Sequence, residues 1–256
     1  FSARLAMVTA PALLGLASTL GPAQSLYRYL ALLPLLAFAL SWRLPADPPR
    51  PRHAAAATAS DAHDDAGRRR QRWALWSTQF LFCFAMVVTF PYFLPYAQAQ
   101  GIGNAAAAGL LYSLPHLVYL VLLPCWRGRA HGASPLPAGL ALFALACLLQ
   151  AVLHAPAWLI GARLLFGVGM WMALRGLNRS LAGIASAHAA GQLFGRFDAF
   201  GKYAGVAGGA LAGALVQHHG PAVPFLAAAA AALLALAPAL SLTSVRRTAH
   251  VPAREA

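Results

Sequence analysis

The sequence predicts an all-α membrane protein with eight transmembrane helices. Three observations predict it: the composition, the length of the apolar runs, and the placement of the basic residues. Of 256 residues, 60% are apolar and 10% are charged, with a mean hydropathy of +0.62. A soluble domain carries about 25% charged and about 45–50% apolar residues, and a disordered chain has low hydrophobicity. Both classes are therefore excluded.

A membrane-crossing helix needs roughly 20 mostly apolar residues, each rising about 1.5 Å through about 30 Å of hydrocarbon. Runs of that kind occupy Leu5–Leu20, Leu26–Trp42, Trp73–Ala97, Ala105–Leu123, Leu136–Leu153, Ala157–Ala185, Ala199–Val216 and Val223–Ser241. The first is short and contains Pro11; the sixth is longer than a crossing requires. The runs continue almost to the C-terminus, so a cleaved signal peptide does not explain them.

Lys and Arg total 19 against 6 Asp and Glu, a net charge of +13. A pI near 11.0 would suit nucleic acid, but the loop charges fall on one side of the spans, with Arg28 just past the first opposite loop, near the start of span two. Arg4, the cluster from Arg43 to Arg72, Arg127 and Arg129, the stretch from Arg175 to Lys202, and Arg246, Arg247 and Arg254 share that side. The loops Gly21–Ser25, Gln98–Asn104, His154–Pro156 and Gln217–Ala222 hold no Lys or Arg. Positive loops stay cytoplasmic, so both ends of the chain are expected inside, and eight crossings satisfy that. The basic balance reads as topology, with the lipid bilayer as partner and no nucleic acid.

The organisation expected is two spans over residues 1–42, a linker over 43–72, six spans over 73–244, and a cytoplasmic tail over 245–256. The linker combines PADPPRPRH, an Ala-rich tract, then Asp61, Asp64 and Asp65 and Arg68, Arg69, Arg70 and Arg72, a composition that stays solvated and suits a disordered connection. Its arginines also match anionic headgroups on the cytoplasmic leaflet. Cys83, Cys125 and Cys147 show no ligand spacing, so neither a zinc site nor a disulfide framework is indicated. No metal and no cofactor are expected. His218 and His219 share an external turn without further ligands and read as solvated.

Glycines are the clearest packing signal. Gly201, Gly205, Gly209 and Gly213 recur every four residues in span seven, with Gly208 beside them. That spacing expects one close-packed helix face.

Ionisable groups within spans default to functional hypotheses. Arg163 lies seven residues into span six, roughly 10 Å below the outer edge, and must face protein or a water-filled cavity. If the helix continues to about Ala185, Arg175 and Asn178 join it as cavity candidates; if it stops near Leu174, Arg175 and Arg179 are cytoplasmic anchors. His116 sits mid-span with Tyr112 and Tyr119 on the same helix face. The stripe suits either proton exchange or a neutral histidine bonded to a neighbouring helix. Gln79 and the segment Phe90-Pro91-Tyr92-Phe93-Leu94-Pro95-Tyr96 add polar and aromatic groups to span three. Its prolines expect a bend. Tyr92 and Tyr96 read as an interfacial belt or as the wall of a binding cavity. Asp198, the one carboxylate between linker and tail, pairs with Lys202 at helical spacing.

YRYLALLPLLAFALSWRLP (Tyr27–Pro45), followed by a basic linker, resembles the sixth span of the major facilitator superfamily. ARLLFGVGMWMAL (Ala162–Leu174) resembles its tenth span, and GKYAGVAGGALAGALVQHHGPAVPF (Gly201–Phe225) resembles its eleventh running into its twelfth. The likeness covers nearly the whole chain and rests on Gly/Pro placement and hydropathy. It implies the last two helices of an N-terminal bundle plus the complete C-terminal six-helix bundle of a twelve-span transporter, here a fragment whose missing N-terminal spans are partners of the same protein. It implies alternating-access transport of a small-molecule substrate, with export of a siderophore or drug as the expected direction, and the extreme Ala and Arg usage with a single Lys points to a bacterial inner membrane. Bacterial siderophore exporters are similar.

An intramembrane enzyme would need a nucleophile with its base, an H-E-x-x-H pair or a carboxylate dyad in the spans, and none appears. A non-transporting scaffold or assembly protein is the alternative, against which the polar groups within spans weigh.

Overall fold

The computed structural model describes residues 5, 8, 9, 32–43, 65–124, 134–185 and 190–248. The first expected span lies almost wholly outside the described residues, as do most of the linker, Cys125 and the loop holding Arg127 and Arg129. Among the described residues the chain is helical, with no strand. The helices are α1 (Leu32–Ser41), α2 (Asp65–Val88), α3 (Phe93–Ala99), α4 (Ala105–Leu122), α5 (Leu136–Val152), α6 (Pro156–Ile184), α7 (Ala190–His219), α8 (Val223–Leu234) and α9 (Leu236–Thr248).

Four segments are long and apolar enough to cross a membrane: α4, α6, α7 and the α8–α9 stretch Val223–Leu242. A fifth forms if α2 and α3 are taken as one span bent by 50°. The apolar helix α5 is shorter, at 17 residues. Such a set is compatible with a membrane-spanning α-helical protein.

Helix ends do not coincide with the ends of the apolar runs. α2 begins at Asp65, inside the stretch read as linker, and α7 begins at Ala190 rather than Ala199. Arg and Gln are good helix formers, so a helix continues through polar turns where hydropathy alone would end it. Asn104 caps α4, its side-chain oxygen accepting from the Ala107 N–H at 2.6 Å. After α7 the chain turns at Gly220, whose φ of 93° favours glycine.

The expected bend in the third span is present. Pro91 has no N–H to offer the Val87 carbonyl, which accepts from Phe90 N–H at 3.0 Å instead. The Thr89 hydroxyl donates to the Met86 carbonyl at 2.9 Å. α3 then leaves at 50°.

The packing has an internal order. The main neighbours are α5 with α6, α2 with α7, α4 with α6, and α8 with both α5 and α2. Take α2–α3, α4 and α5 as one unit of three spans, and α6, α7 and α8–α9 as a second. Exchanging the units turns the α5–α6 pairing into the α8–α2 pairing, and the α2–α7 pairing into the α6–α4 pairing. The α5–α8 pairing maps onto itself, whereas the lesser α3–α4 and α7–α8 pairings have no counterpart of their rank in the exchanged positions.

Glycines bring the closest pairs together. A Cβ on Gly139 would lie 2.5 Å from the Ala173 backbone nitrogen, and one on Gly169 would lie 2.6 Å from that of Phe143. A Cβ on Gly176 would meet the Leu136 Cβ at 2.5 Å. The α5–α6 interface is thus backbone against backbone, which maximises dispersion where lipid offers no hydrophobic drive. The largest buried cluster runs along this seam and into α2 and α8–α9, with Phe82, Phe143, Phe166 and Met170 fully enclosed.

Candidate functional site

Arg163 is the largest fully buried side chain among the described residues. A cation withdrawn from water is costly unless it is paired or hydrogen-bonded, so its surroundings must supply compensation. The only acids among the described residues are Asp65 and Asp198, and the Asp198 carboxylate is 74% exposed beside Lys202. The compensation comes from backbone and rings. Nε donates to the Leu111 carbonyl at 3.2 Å, and Nη2 donates to the Tyr112 carbonyl at 2.7 Å. The guanidinium carbon sits 4.1 Å from the Phe93 ring centre and 4.9 Å from that of Phe166. Desolvated cation–π contacts are worth about 2 kcal/mol or more. Nη1 is buried and has no hydrogen-bond partner.

The choice of carbonyl follows from sequence. Pro115 lies within α4 and has no N–H, so the Leu111 carbonyl four residues earlier loses its helical donor. Arg163 supplies one from the neighbouring helix, the kind of repair that makes proline tolerable inside a membrane. One turn further along α6, Gly167 faces the same break. A Cβ there would stand 2.9 Å from the Pro115 Cα and 2.7 Å from the Val118 Cβ.

Tyr112 and His116 join this group through Phe90, whose ring centre lies 5.5 Å from Tyr112 and 5.9 Å from His116. Phe93 lies 6.0 Å from Tyr112. His116 is buried and Tyr112 half-buried. Tyr119 is half-buried against the main core, with Met170 and Phe166 in that same cluster.

The other expected site residues are not gathered here. Gln79 is buried between α2 and α7: its Nε2 would stand 2.8 Å from a Cβ on Gly201, and its Oε1 has no partner. Tyr92 is half-buried with its hydroxyl against Gly213. α6 does continue to Ile184, but Arg175 is only half-buried and Asn178 is exposed. At about 1.5 Å per residue they lie roughly 18 and 22 Å along the helix from Arg163.

Two expectations need correction. Tyr96 is neither belt nor exposed wall. It is buried, packs on Phe225 at 4.7 Å, and its hydroxyl donates to the Gln150 carbonyl, tying α3 to α5. The glycine stripe of α7 is also misassigned at one position. Gly201, Gly205 and Gly213 meet α2 and Tyr92, but nothing lies within 4 Å of a Cβ on Gly209. A step of four residues overshoots a turn by about 40°, so a strict four-residue repeat rotates away from its neighbour. The buried line is instead Phe197, Gly201, Ala204, Gly208 and Ala212. A Cβ on Gly208 would lie 3.0 Å from the Phe84 carbonyl oxygen.

Sequence reasoning named Phe93 only within its aromatic segment, and missed Phe166 and Pro115 as parts of the site. A signal for Pro115 existed: a mid-span proline leaves a carbonyl without a donor, and Arg163 is the deep cation available to fill it. Among the described residues no group of three or more His, Cys, Asp or Glu is placed to hold a metal. Cys83 and Cys147 are buried, and His218 and His219 are exposed in the last turn of α7 rather than in a separate turn. No model of a known protein family matches the chain, and no curated protein sequence matches it.

Proposed function

We propose that the chain belongs to a secondary active transporter of the major facilitator type, moving a small organic solute by alternating access. One observation carries this reading: the main helix pairings map onto themselves when the two three-span units are exchanged. Internal three-plus-three repeats within a six-span bundle are the plan of that transporter class, in which the solute binds near the bilayer midplane between two bundles. In this reading α2 to α9 form the C-terminal bundle and α1 belongs to the last span before the linker. The bilayer is a bacterial inner membrane, with the basic loops on its cytoplasmic side.

Export is the proposed direction. The acid-poor, Arg-bearing bundle suits a solute with anionic or chelating oxygens, a siderophore among them, because guanidinium pairs such oxygens in a planar fork. His116 and Tyr112, linked through Phe90, are the proposed solute-side residues, together with Arg163 when the helices part.

The test is efflux from bacteria expressing the whole reading frame that encodes this chain, with a panel of radiolabelled siderophores and cationic dyes. Accumulation in cells should rise when the gene is deleted. His116→Ala should reduce efflux at unchanged membrane abundance. Deletion without any change in accumulation across the panel favours a scaffold instead. Unchanged efflux in both His116→Ala and Arg163→Ala would remove the site assignment and leave the fold.

A further inference from the structure

Pro115 divides α4 into two halves that share no hydrogen bond at the Leu111 carbonyl. Breaks of this kind are where membrane helices bend. α6 grips both sides of the break: the Arg163 guanidinium holds the Leu111 and Tyr112 carbonyls at 3.2 and 2.7 Å, and Gly167 lets the α6 backbone approach Pro115 itself. α3 closes the third side with the Phe93 ring over the guanidinium.

We propose that Arg163 is a latch at a proline hinge in α4: its two carbonyl bonds tether the half before Pro115 to α6, against which Gly167 seats Pro115 and Val118. The proposal goes beyond the transport reading and stands without it. Among the described residues no carboxylate holds the guanidinium, so the latch consists of carbonyl dipoles and ring faces rather than an ion pair. Such a latch can let go of α4 without separating two opposite charges in a low-dielectric interior. Nη1, buried and unpartnered, leaves one donor of the fork uncommitted to α4. With the latch released, the Leu111 carbonyl has no donor, and α4 is weaker by that bond at Pro115 than at its other turns.

The latch makes a specific demand of a double-mutant comparison. Pro115→Ala restores the N–H that Leu111 lacks, so Arg163 should then matter less. Four versions of the chain are compared in detergent by thermal unfolding: unaltered, Pro115→Ala, Arg163→Gln, and both together. Arg163→Gln should lower the unfolding temperature clearly with Pro115 present. In the Pro115→Ala background it should lower it by less than about half as much, because residues sharing one hydrogen-bond network do not add. Amide exchange in nanodiscs supplies the second readout. Arg163→Gln should speed exchange over residues 111–119 with α5 unaffected, and the double variant should recover the protection. Recovery of folded protein from the double variant but not from Arg163→Gln alone would be the same coupling in extreme form. Should neither glutamine variant fold, Arg163→Lys, which keeps one donor group, carries the comparison with the same reading. Equal losses in both backgrounds, or unchanged exchange around Pro115, would overturn the latch.

Discussion

α6 and α7 are alike on paper and opposite in the structure. They are 29 and 30 residues long, rich in glycine and carry basic residues. Half of the apolar window of α6 is buried, against 22% for α7. α6 uses glycine where backbone meets backbone, at Gly169 and Gly176 against α5 and at Gly167 against α4. It also holds its cation out of reach of solvent. α7 uses one line of small residues against α2 and leaves Tyr203 and Val206 exposed, with its Asp198–Lys202 pair in the open. The difference teaches that a glycine count says little about packing. What matters is which atom a Cβ would meet.

The sharpest way to break that comparison is Gly169→Ala. The new methyl would lie 2.6 Å from the Phe143 backbone nitrogen and 2.9 Å from its Cα, and backbone cannot rotate aside. Overpacking typically costs about 1–3 kcal/mol, and a clash with backbone belongs at the upper end. A fall in unfolding temperature in detergent checks it. A silent Gly169→Ala would mean that α5 and α6 are not in backbone contact.

Gly208→Ala should follow with a smaller loss, about 1–2 kcal/mol. Its Cβ would meet the Phe84 oxygen at 3.0 Å and the Val88 nitrogen at 3.2 Å, so α7 must lift a little from α2. Gly201→Ala meets only the ends of the Gln79 and Cys83 side chains, which can swing. It should cost less than Gly208→Ala in the same measurement.

The neighbouring Gly209→Ala sharpens the case from the other side. Nothing stands within 4 Å of its Cβ, and alanine in a helix is favoured over glycine by about 0.8–1.0 kcal/mol in peptide hosts. The unfolding temperature should hold or rise slightly. A loss as large as that of Gly208→Ala would put the contact line on the four-residue repeat after all.

These contrasts mark what was legible in the sequence. The apolar segments behind α4 to α9 were, because burying about 20 apolar residues leaves a pattern in composition that no tertiary detail can erase. The bend near Pro91 was legible for a local reason, since proline constrains its own backbone, whereas α7 runs to His219, past its expected end at Val216. The starts of α2 and α7 were not, because a helix does not end where the apolar stretch does. Arg163 stood out as a deep cation, yet its acceptors did not. Backbone carbonyls look the same at every residue, and a contact across 51 or 52 positions of chain has no local signal. Only Pro115 distinguished one carbonyl from the rest. Tyr96 failed differently: its nearness to the span end suggested an interface, whereas the 50° bend turns it inward onto Gln150.

The smallest expected effect concerns the charges α7 leaves outside. Asp198 and Lys202 stand four residues apart, 3.9 Å at their nearest atoms, with side chains 74% and 78% exposed. At that exposure water screens the pair, and a helical i,i+4 pair is worth about 0.2–0.5 kcal/mol at most. Asp198→Asn should therefore barely move the unfolding temperature, and what change there is should vanish at high salt. Arg163→Gln, by contrast, should lose stability that salt does not restore, since its partners are buried carbonyls and rings rather than a screened ion. Running the two variants across a salt series separates the buried cation of α6 from the exposed pair of α7. A salt-insensitive loss at Asp198 would show that this carboxylate has a buried partner and that α7 is covered on the face it presents to solvent.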